Sequence, residues 1–115
     1  MFWRRGKTDT NKPTKPDVSF EEAKEATRRA AFLNFAGEMS EDEPYRQQLS
    51  ELFRVCRSAA LAAGALQSHS DGEVDAAIGA LCDADNARLR EASDEEFRNF
   101  ARESGEIVNL FLSKI

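Results

Sequence analysis

The chain has one histidine and two cysteines, so few residues could do metal or covalent chemistry. His69 stands just before Asp71, Glu73 and Asp75, which together could offer nitrogen and oxygen ligands around one turn. A calcium loop of the EF-hand kind needs alternate acidic ligands over twelve residues and a closing Glu, and the stretch "DGEVDAAIGALC" (71–82) lacks this pattern. We therefore expect a hydrated turn here and no metal site.

Catalytic and cofactor-binding patterns are equally poorly matched. A di-iron site in a helical bundle needs a Glu-x-x-His pair from each of two helices, and the single histidine has Leu66 in the Glu position. Cys56 and Cys82 fall on or beside apolar helical positions, which is typical of buried thiols. Asp83 and Asp85 are two residues apart, so they do not share a helix face. We expect no catalytic residue, no cofactor and no enzyme activity, and a small bundle enzyme or ligand carrier is the weakest alternative.

A Ser-x-x-Glu spacing occurs four times, each time ahead of a stretch with helical periodicity. In a capping box the Ser hydroxyl accepts a hydrogen bond from the backbone N–H three residues on, and the Glu carboxylate accepts one from the Ser N–H. The four pairs are Ser19/Glu22, Ser40/Glu43, Ser70/Glu73 and Ser93/Glu96. Pro44 fits poorly behind a cap at Ser40, so Asp42 or Glu43 is the alternative cap there. The pattern predicts four helix starts.

The apolar spacing predicts four helices, over about 19–37, 43–68, 71–92 and 94–114. The second has the cleanest stripe, which steps by four and three residues from Tyr45 to Leu66. Short connections between helices of similar length favour antiparallel neighbours. We therefore predict an all-α fold: a four-helix antiparallel (up-down-up-down) bundle with a flexible N-terminal arm.

The predicted arm, residues 1–18, carries charge of the opposite sign to the bundle domain, residues 19–115. The first sixteen residues hold five basic residues and one acid, a net of +4, and the rest of the chain has a net of −9. The arm also contains two prolines and has no apolar period after Trp3. Because affinity for phosphate backbones comes from basic surface, we expect no nucleic acid partner for the acidic body.

The strongest functional signal is the end of the fourth helix, "IVNLFL" (107–112). Its apolar residues cover more of the helix circumference than one side of a small bundle can bury, and large exposed apolar patches usually mark contacts. The alternative is that the fourth helix is the central, buried element of the bundle. The predicted partner-binding residues are Ile107, Val108, Leu110, Phe111, Leu112 and Ile115.

These residues predict a non-enzymatic protein–protein interaction module, an adaptor, regulator or assembly factor that forms a homodimer through the fourth helix. The sequence does not identify any other protein partner. The alternative is a peripheral membrane or anionic-surface binding protein, with weak membrane contact through Phe2, Trp3, Arg4, Arg5 and Lys7 of the arm. With no apolar run near the ~18 residues of a membrane span and no secretory signal pattern, the expected location is the cytoplasm.

Asp85 interrupts the apolar stripe of the third helix. A carboxylate there is costly if it is buried without a partner. An arginine from another helix could pair with it, Arg54 or Arg57 in the most specific version. Otherwise the helix end is solvated there, or Asp85 faces a binding partner. We expect either the arginine pair or the solvated helix end, and not the contact with a binding partner.

Overall fold

The computed structural model describes residues 18–115, and α-helices make up most of this part of the chain. α1 spans Phe20–Gly37, α2 spans Glu43–Ala65, α3 spans Asp71–Leu89 and α4 spans Asp94–Leu112. The all-α prediction is confirmed. The predicted arm lies outside the described residues except for Val18, and so do the proposed membrane contacts Phe2, Trp3, Arg4, Arg5 and Lys7. Val18 itself is buried in the core, so the packed body includes it.

Three of the four predicted capping boxes are confirmed. The hydroxyls of Ser19, Ser70 and Ser93 accept hydrogen bonds from the backbone N–H three residues on, at 3.0 to 3.1 Å, and the Glu carboxylates accept from the Ser N–H groups in return. At the start of α2 the cap is Asp42, whose carboxylate accepts from the Tyr45 N–H at 3.2 Å. This is the alternative that Pro44 indicated.

α2 ends three residues before its predicted end because the chain reverses direction at Ser68. Ser68 has a φ of 67°, which lies in the left-handed region. For a residue with a side chain this backbone conformation costs about 1–2 kcal/mol relative to the right-handed one. Its N–H donates to the Ala65 carbonyl and the His69 N–H donates to the Gly64 carbonyl, both at 3.0 Å. These paired bonds form a Schellman motif, in which glycine is the usual residue at this position. The reversal places the His69 ring on Phe20, with 5.1 Å between ring centroids.

α1 is the central helix of the described domain. It packs against each of the other three helices, α2 also packs against α3, and α4 barely touches α2 or α3. Ala23, Ala26 and Ala30 of α1 are completely buried, and their small side chains let neighbouring helices approach closely. The alternative in which the fourth helix is the central element of the bundle is therefore wrong, because the central helix is α1.

The core contains apolar side chains from all four helices. Packing is close at Gly64 of α2, where an added Cβ would lie 2.6 Å from Val74 Cγ2 and 3.1 Å from Phe20 Cε1. The absence of a side chain at Gly64 thus lets α2 approach α1 and α3 closely. Within residues 18–115, none of the helices combines the length and the apolarity needed to cross a membrane.

Candidate interaction surface

α4 has one face in the core and another in solvent, and this divides the six predicted partner residues. Val108, Phe111 and Leu112 are buried against the other helices, whereas Ile107 is half-buried and Leu110 and Ile115 are exposed. Leu110 is 62% exposed, the largest exposure among the apolar side chains of α4. The surface that another molecule could contact on this helix therefore consists mainly of Ile107 and Leu110.

Beside these residues runs a groove of about 270 Å³ between α4 and the first turns of α1. Its apolar floor is formed by Ile107, Leu110 and Phe111, and its rim by Glu21, Glu22, Glu25 and Lys114. The arrangement follows from the two helices: the acidic first turns of α1, which suit its N-terminal dipole, lie beside the apolar last turns of α4. The groove thus combines an apolar floor with a mainly anionic rim.

Ion pairs hold the rim in place. Lys114 Nζ donates to Glu22 Oε2 at 2.6 Å, which connects the end of α4 to the start of α1. This hydrogen bond is the main cause of a pKa of Glu22 below its ordinary value, and the bond from the Ser19 N–H adds to it. Glu21 pairs with Lys24 at 3.2 Å. Glu22 and Glu21 are solvent-exposed, so both carboxylates can still accept bonds from a partner.

Asp85 is buried, and its partner is Arg28 of α1. Arg28 Nε and Nη2 each donate to one carboxylate oxygen of Asp85 at 2.9 Å. Burial lowers the pKa of Arg28, but the Asp85 hydrogen bonds and the charges of Glu25 and Asp85 outweigh it and raise the pKa above its ordinary value. The pairing of Asp85 with an arginine from another helix is therefore correct.

The two arginines suggested for that pairing were wrong. Arg57 forms a two-bonded pair with Asp75 of α3, at 2.8 and 2.7 Å, and Arg54 pairs with Glu51 of its own helix. Both arginines lie on α2, whereas Asp85 faces α1. The hydrogen bonds from Arg57 lower the pKa of the Asp75 carboxyl below its ordinary value.

Arg29 extends the buried polar network to α4. Its guanidinium donates to Glu25 at 2.9 Å and to Ser104 Oγ at 3.3 Å, and it lies 4.4 Å from the centroid of the Phe100 ring. Glu25 also accepts from Arg28 at 2.9 Å, so the network joins α3, α1 and α4. In residues 18–115 no buried side-chain nitrogen or oxygen lacks a hydrogen-bond partner. The network is thus fully satisfied internally, which fits a structural role.

The structural roles of Arg28 and Arg29 were not predicted from the sequence. The available signal was a pair of adjacent arginines between Thr27 and Ala30, which belong to the apolar stripe, with Glu25 three and four residues earlier. A single-stripe interpretation of α1 assigns both arginines to solvent. Because α1 is surrounded on three sides, they point instead into contacts with α3 and α4.

The residues considered for metal or covalent chemistry are dispersed. His69 Nδ1 is 3.8 Å from Glu73 Oε1, but Asp75 is turned towards Arg57. Burial raises the pKa of the Cys56 thiol to about 12, and burial is also the main cause of a raised pKa at half-buried Cys82. In the described part of the chain, no three His, Cys, Asp or Glu side chains are grouped so that they could hold a metal ion.

A second set of exposed apolar side chains lies away from the groove. Phe35 near the end of α1 is 63% exposed, and Phe97 of α4 is partly exposed while it contacts Phe32 edge-on at 5.2 Å. Phe35 lines a smaller recess of about 160 Å³ together with Arg28 and Asp85, whereas Phe97 is not among the residues that line it. Comparisons of the chain with protein-family models, curated proteins and solved structures find no significant match.

Proposed function

We propose that this chain is a non-enzymatic protein-interaction module, an adaptor, regulator or assembly factor. It binds its partner through the groove between α1 and α4. The observation that carries this proposal is the exposure of Leu110 beside a recess with an apolar floor. A single exposed leucine is ordinary on a protein surface. Here Ile107 and Phe111 continue the apolar surface into the groove, and such continuity is typical of contact sites.

The partner that we propose is a second copy of the chain. In a two-fold symmetric contact the same patch meets itself, so it must contain both members of each interacting pair. The groove contains the exposed Leu110 in its apolar lining, and its rim has carboxylates at Glu21 and Glu22 as well as the ammonium of Lys114. In such a dimer, Leu110 of each copy would pack against the apolar lining of the other groove, and each Lys114 would face carboxylates across the interface.

We also infer that the four helices alternate in direction, as an up-down-up-down bundle. Two contacts between α1 and α4 support this: Glu22 near the start of α1 bonds to Lys114 beyond the end of α4, and Phe32 near the end of α1 touches Phe97 near the start of α4. Between α1 and α2, Asn34 accepts from the hydroxyl of Ser50 in the first half of α2. This arrangement explains why the acidic start of α1 borders the apolar end of α4.

The dimer is tested best with Leu110→Glu, because Leu110 is exposed whereas Phe111 is buried and its substitution would disturb the core. Light scattering across the micromolar range should give the wild-type chain a mass above the monomer. The variant should be monomeric because the new carboxylate would be buried against apolar side chains beside Glu21, Glu22 and Glu25 of the other copy. Its far-UV circular dichroism should stay that of a helical protein.

Leu66→Glu is the matched control, since Leu66 is 69% exposed but is not among the residues that line the groove. It should leave the dimer intact. A wild-type chain that is monomeric at every concentration would refute the homodimer. If Phe35→Glu gives monomers while Leu110→Glu does not, the contact uses the other exposed apolar surface.

A further inference from the structure

We propose that residues 2–7 of the same chain, "FWRRGK", bind in the α1–α4 groove and cover the surface through which a second copy would bind. The proposal rests on the groove assigned above to the dimer, and it concerns how that groove is regulated. Residues 18–115 form the groove and include Val18, from which the N-terminal segment continues. Their charged side chains lie around both.

The attachment point lies next to the groove. Val18 is buried at the start of α1, and the rim residues Glu21, Glu22 and Glu25 follow within two helical turns. At 1.5 Å per residue, the rim extends over about 10 Å from this point. The ten residues between Lys7 and Val18 can span up to about 33 Å when extended, so the segment reaches every part of the groove. A short tether also gives the segment a millimolar effective concentration there.

The chemistry of the segment matches that of the groove. Phe2 and Trp3 are aromatic, and the groove floor is apolar around Leu110. Three basic residues, Arg4, Arg5 and Lys7, follow the aromatic pair, and the rim has three carboxylates against one ammonium. An aromatic side chain contributes a large apolar area to an interface, and guanidinium groups form strong bonds with carboxylates.

Charge favours the same arrangement over a longer range. The first sixteen residues have a net charge of +4 and the rest of the chain has a net charge of −9, so the body attracts the segment. The rim carboxylates already have partners within the domain, but the pairs at Glu21 and Glu22 are exposed. Added guanidinium groups can therefore approach from the solvent side without displacing Lys24 or Lys114.

Fluorescence tests the proposal directly because Trp3 is the only tryptophan of the chain. In the dilute, monomeric full-length protein we expect its emission to be blue-shifted from that of tryptophan in water, and we expect it to be protected from iodide quenching. Leu110→Gln should remove both effects. Gln is preferred to Glu here because a new carboxylate would itself attract the basic residues.

Leu66→Gln is the matched control and should leave the emission unchanged, with circular dichroism to verify the fold of both variants. Salt near 1 M, where the Debye length is about 3 Å, should reduce the blue shift because it screens the rim. Deletion of residues 1–16 should lower the concentration at which the dimer forms, because it uncovers the groove.

Several outcomes would overturn the inference. Trp3 emission like that of tryptophan in water would do so, and so would a blue shift that Leu110→Gln does not change. A shift that appears only where the dimer forms would mean binding to the second copy, and one that requires anionic vesicles would mean binding to lipid. If the shift is independent of concentration and neither the full-length nor the truncated chain dimerises, binding of residues 2–7 in the groove holds and the proposed dimer fails.

Discussion

Arg28 and Asp85 form a two-bonded ion pair between α1 and α3, with both nitrogen–oxygen distances at 2.9 Å. The Asp85 side chain is only 7% exposed and that of Arg28 is 20% exposed. A charge buried to this degree is tolerated when its partner and the remaining hydrogen bonds are well placed. Glu25 completes the geometry because it accepts from the third guanidinium nitrogen of Arg28. This pair explains how a carboxylate can interrupt the apolar stripe of α3.

Asp85→Ala should therefore destabilise the fold strongly. The variant leaves the Arg28 guanidinium without its buried partner, and removal of one member of such a pair costs about 3 kcal/mol. Urea denaturation followed by circular dichroism measures the loss. Asp75→Ala removes the partner of Arg57 in the more exposed pair between α2 and α3, so it should cost much less.

The double variant Arg28→Met/Asp85→Leu separates the cost of an unpaired charge from the value of the pair. Two apolar side chains of similar size leave no buried charge, so the double variant should be more stable than Asp85→Ala alone. Equal losses of stability in Asp85→Ala and Asp75→Ala would contradict the prediction that the Arg28–Asp85 pair contributes more to stability than the Arg57–Asp75 pair.

The helix starts were predictable from sequence because a capping box is a local feature that spans four residues. The partner of Asp85 was not, because the chain offers several arginines at helical positions and only the packing of α1 against α3 selects Arg28. The same limit applies to α1, because a helical periodicity defines only one buried stripe. Three neighbouring helices bury additional faces, and Arg29 is covered as a result.

The groove could be predicted only in part. Ile107 and Leu110 were identified because the end of α4 is apolar on nearly every side, but this pattern did not separate them from buried Val108. The acidic residues of the rim match the general preference of a helix N-terminus for negative charge, so they give no separate signal of a binding surface. The contact between Glu22 and Lys114 joins residues 92 positions apart, so no local pattern indicates it.

The capping boxes give a matched pair of variants. Ser93→Ala should lower the stability by about 0.5–2 kcal/mol, because the hydroxyl that accepts from the Glu96 N–H is lost. Ser40→Ala should cost less, since Asp42 caps α2 and the Ser40 hydroxyl accepts only an exposed hydrogen bond from the Asp42 N–H, at 3.0 Å. Urea denaturation of both variants provides the comparison. Equal losses at the two positions would contradict the assignment of Asp42 as the cap.

Two glycines within helices should respond to alanine in opposite directions. At Gly64 a Cβ would lie 2.6 Å from Val74 Cγ2, so Gly64→Ala forces α2 and α3 apart and should cost about 1–3 kcal/mol. At Gly79 of α3 an added Cβ meets no atom within 4 Å, so Gly79→Ala should stabilise by about 0.5–1 kcal/mol through helix propensity. Thermal unfolding of the two variants reports both signs. A stabilising Gly64→Ala would mean that α2 and α3 are less closely packed than described.

The two cysteines should differ in reactivity in the native protein. Burial raises the pKa of Cys56 to about 12, so the thiolate is about one part in 10⁴ at pH 8, and the buried sulfur is also inaccessible. Cys82 is half-buried, and the desolvation and nearby acidic charges that raise its pKa slow its reaction without preventing access. Iodoacetamide labelling followed by mass spectrometry should modify Cys82 first and Cys56 only after unfolding in urea. Labelling of Cys56 as fast as Cys82 in the folded protein would contradict this order.

Cys56 should also make stability depend on alkaline pH. Its pKa is about 12 in the folded chain against an ordinary value of 9.0, so the fold favours the neutral thiol. The resulting stability is fully present below pH 9.0 and is lost as the pH rises from there towards 12, because the unfolded chain releases the proton first. Lysine and tyrosine side chains titrate in the same range, so the measurement compares wild type with Cys56→Ala in urea at a series of pH values. The wild type should lose stability more steeply above pH 9.0 than the variant, and parallel curves would show that Cys56 ionises as easily in the folded chain as in the unfolded one.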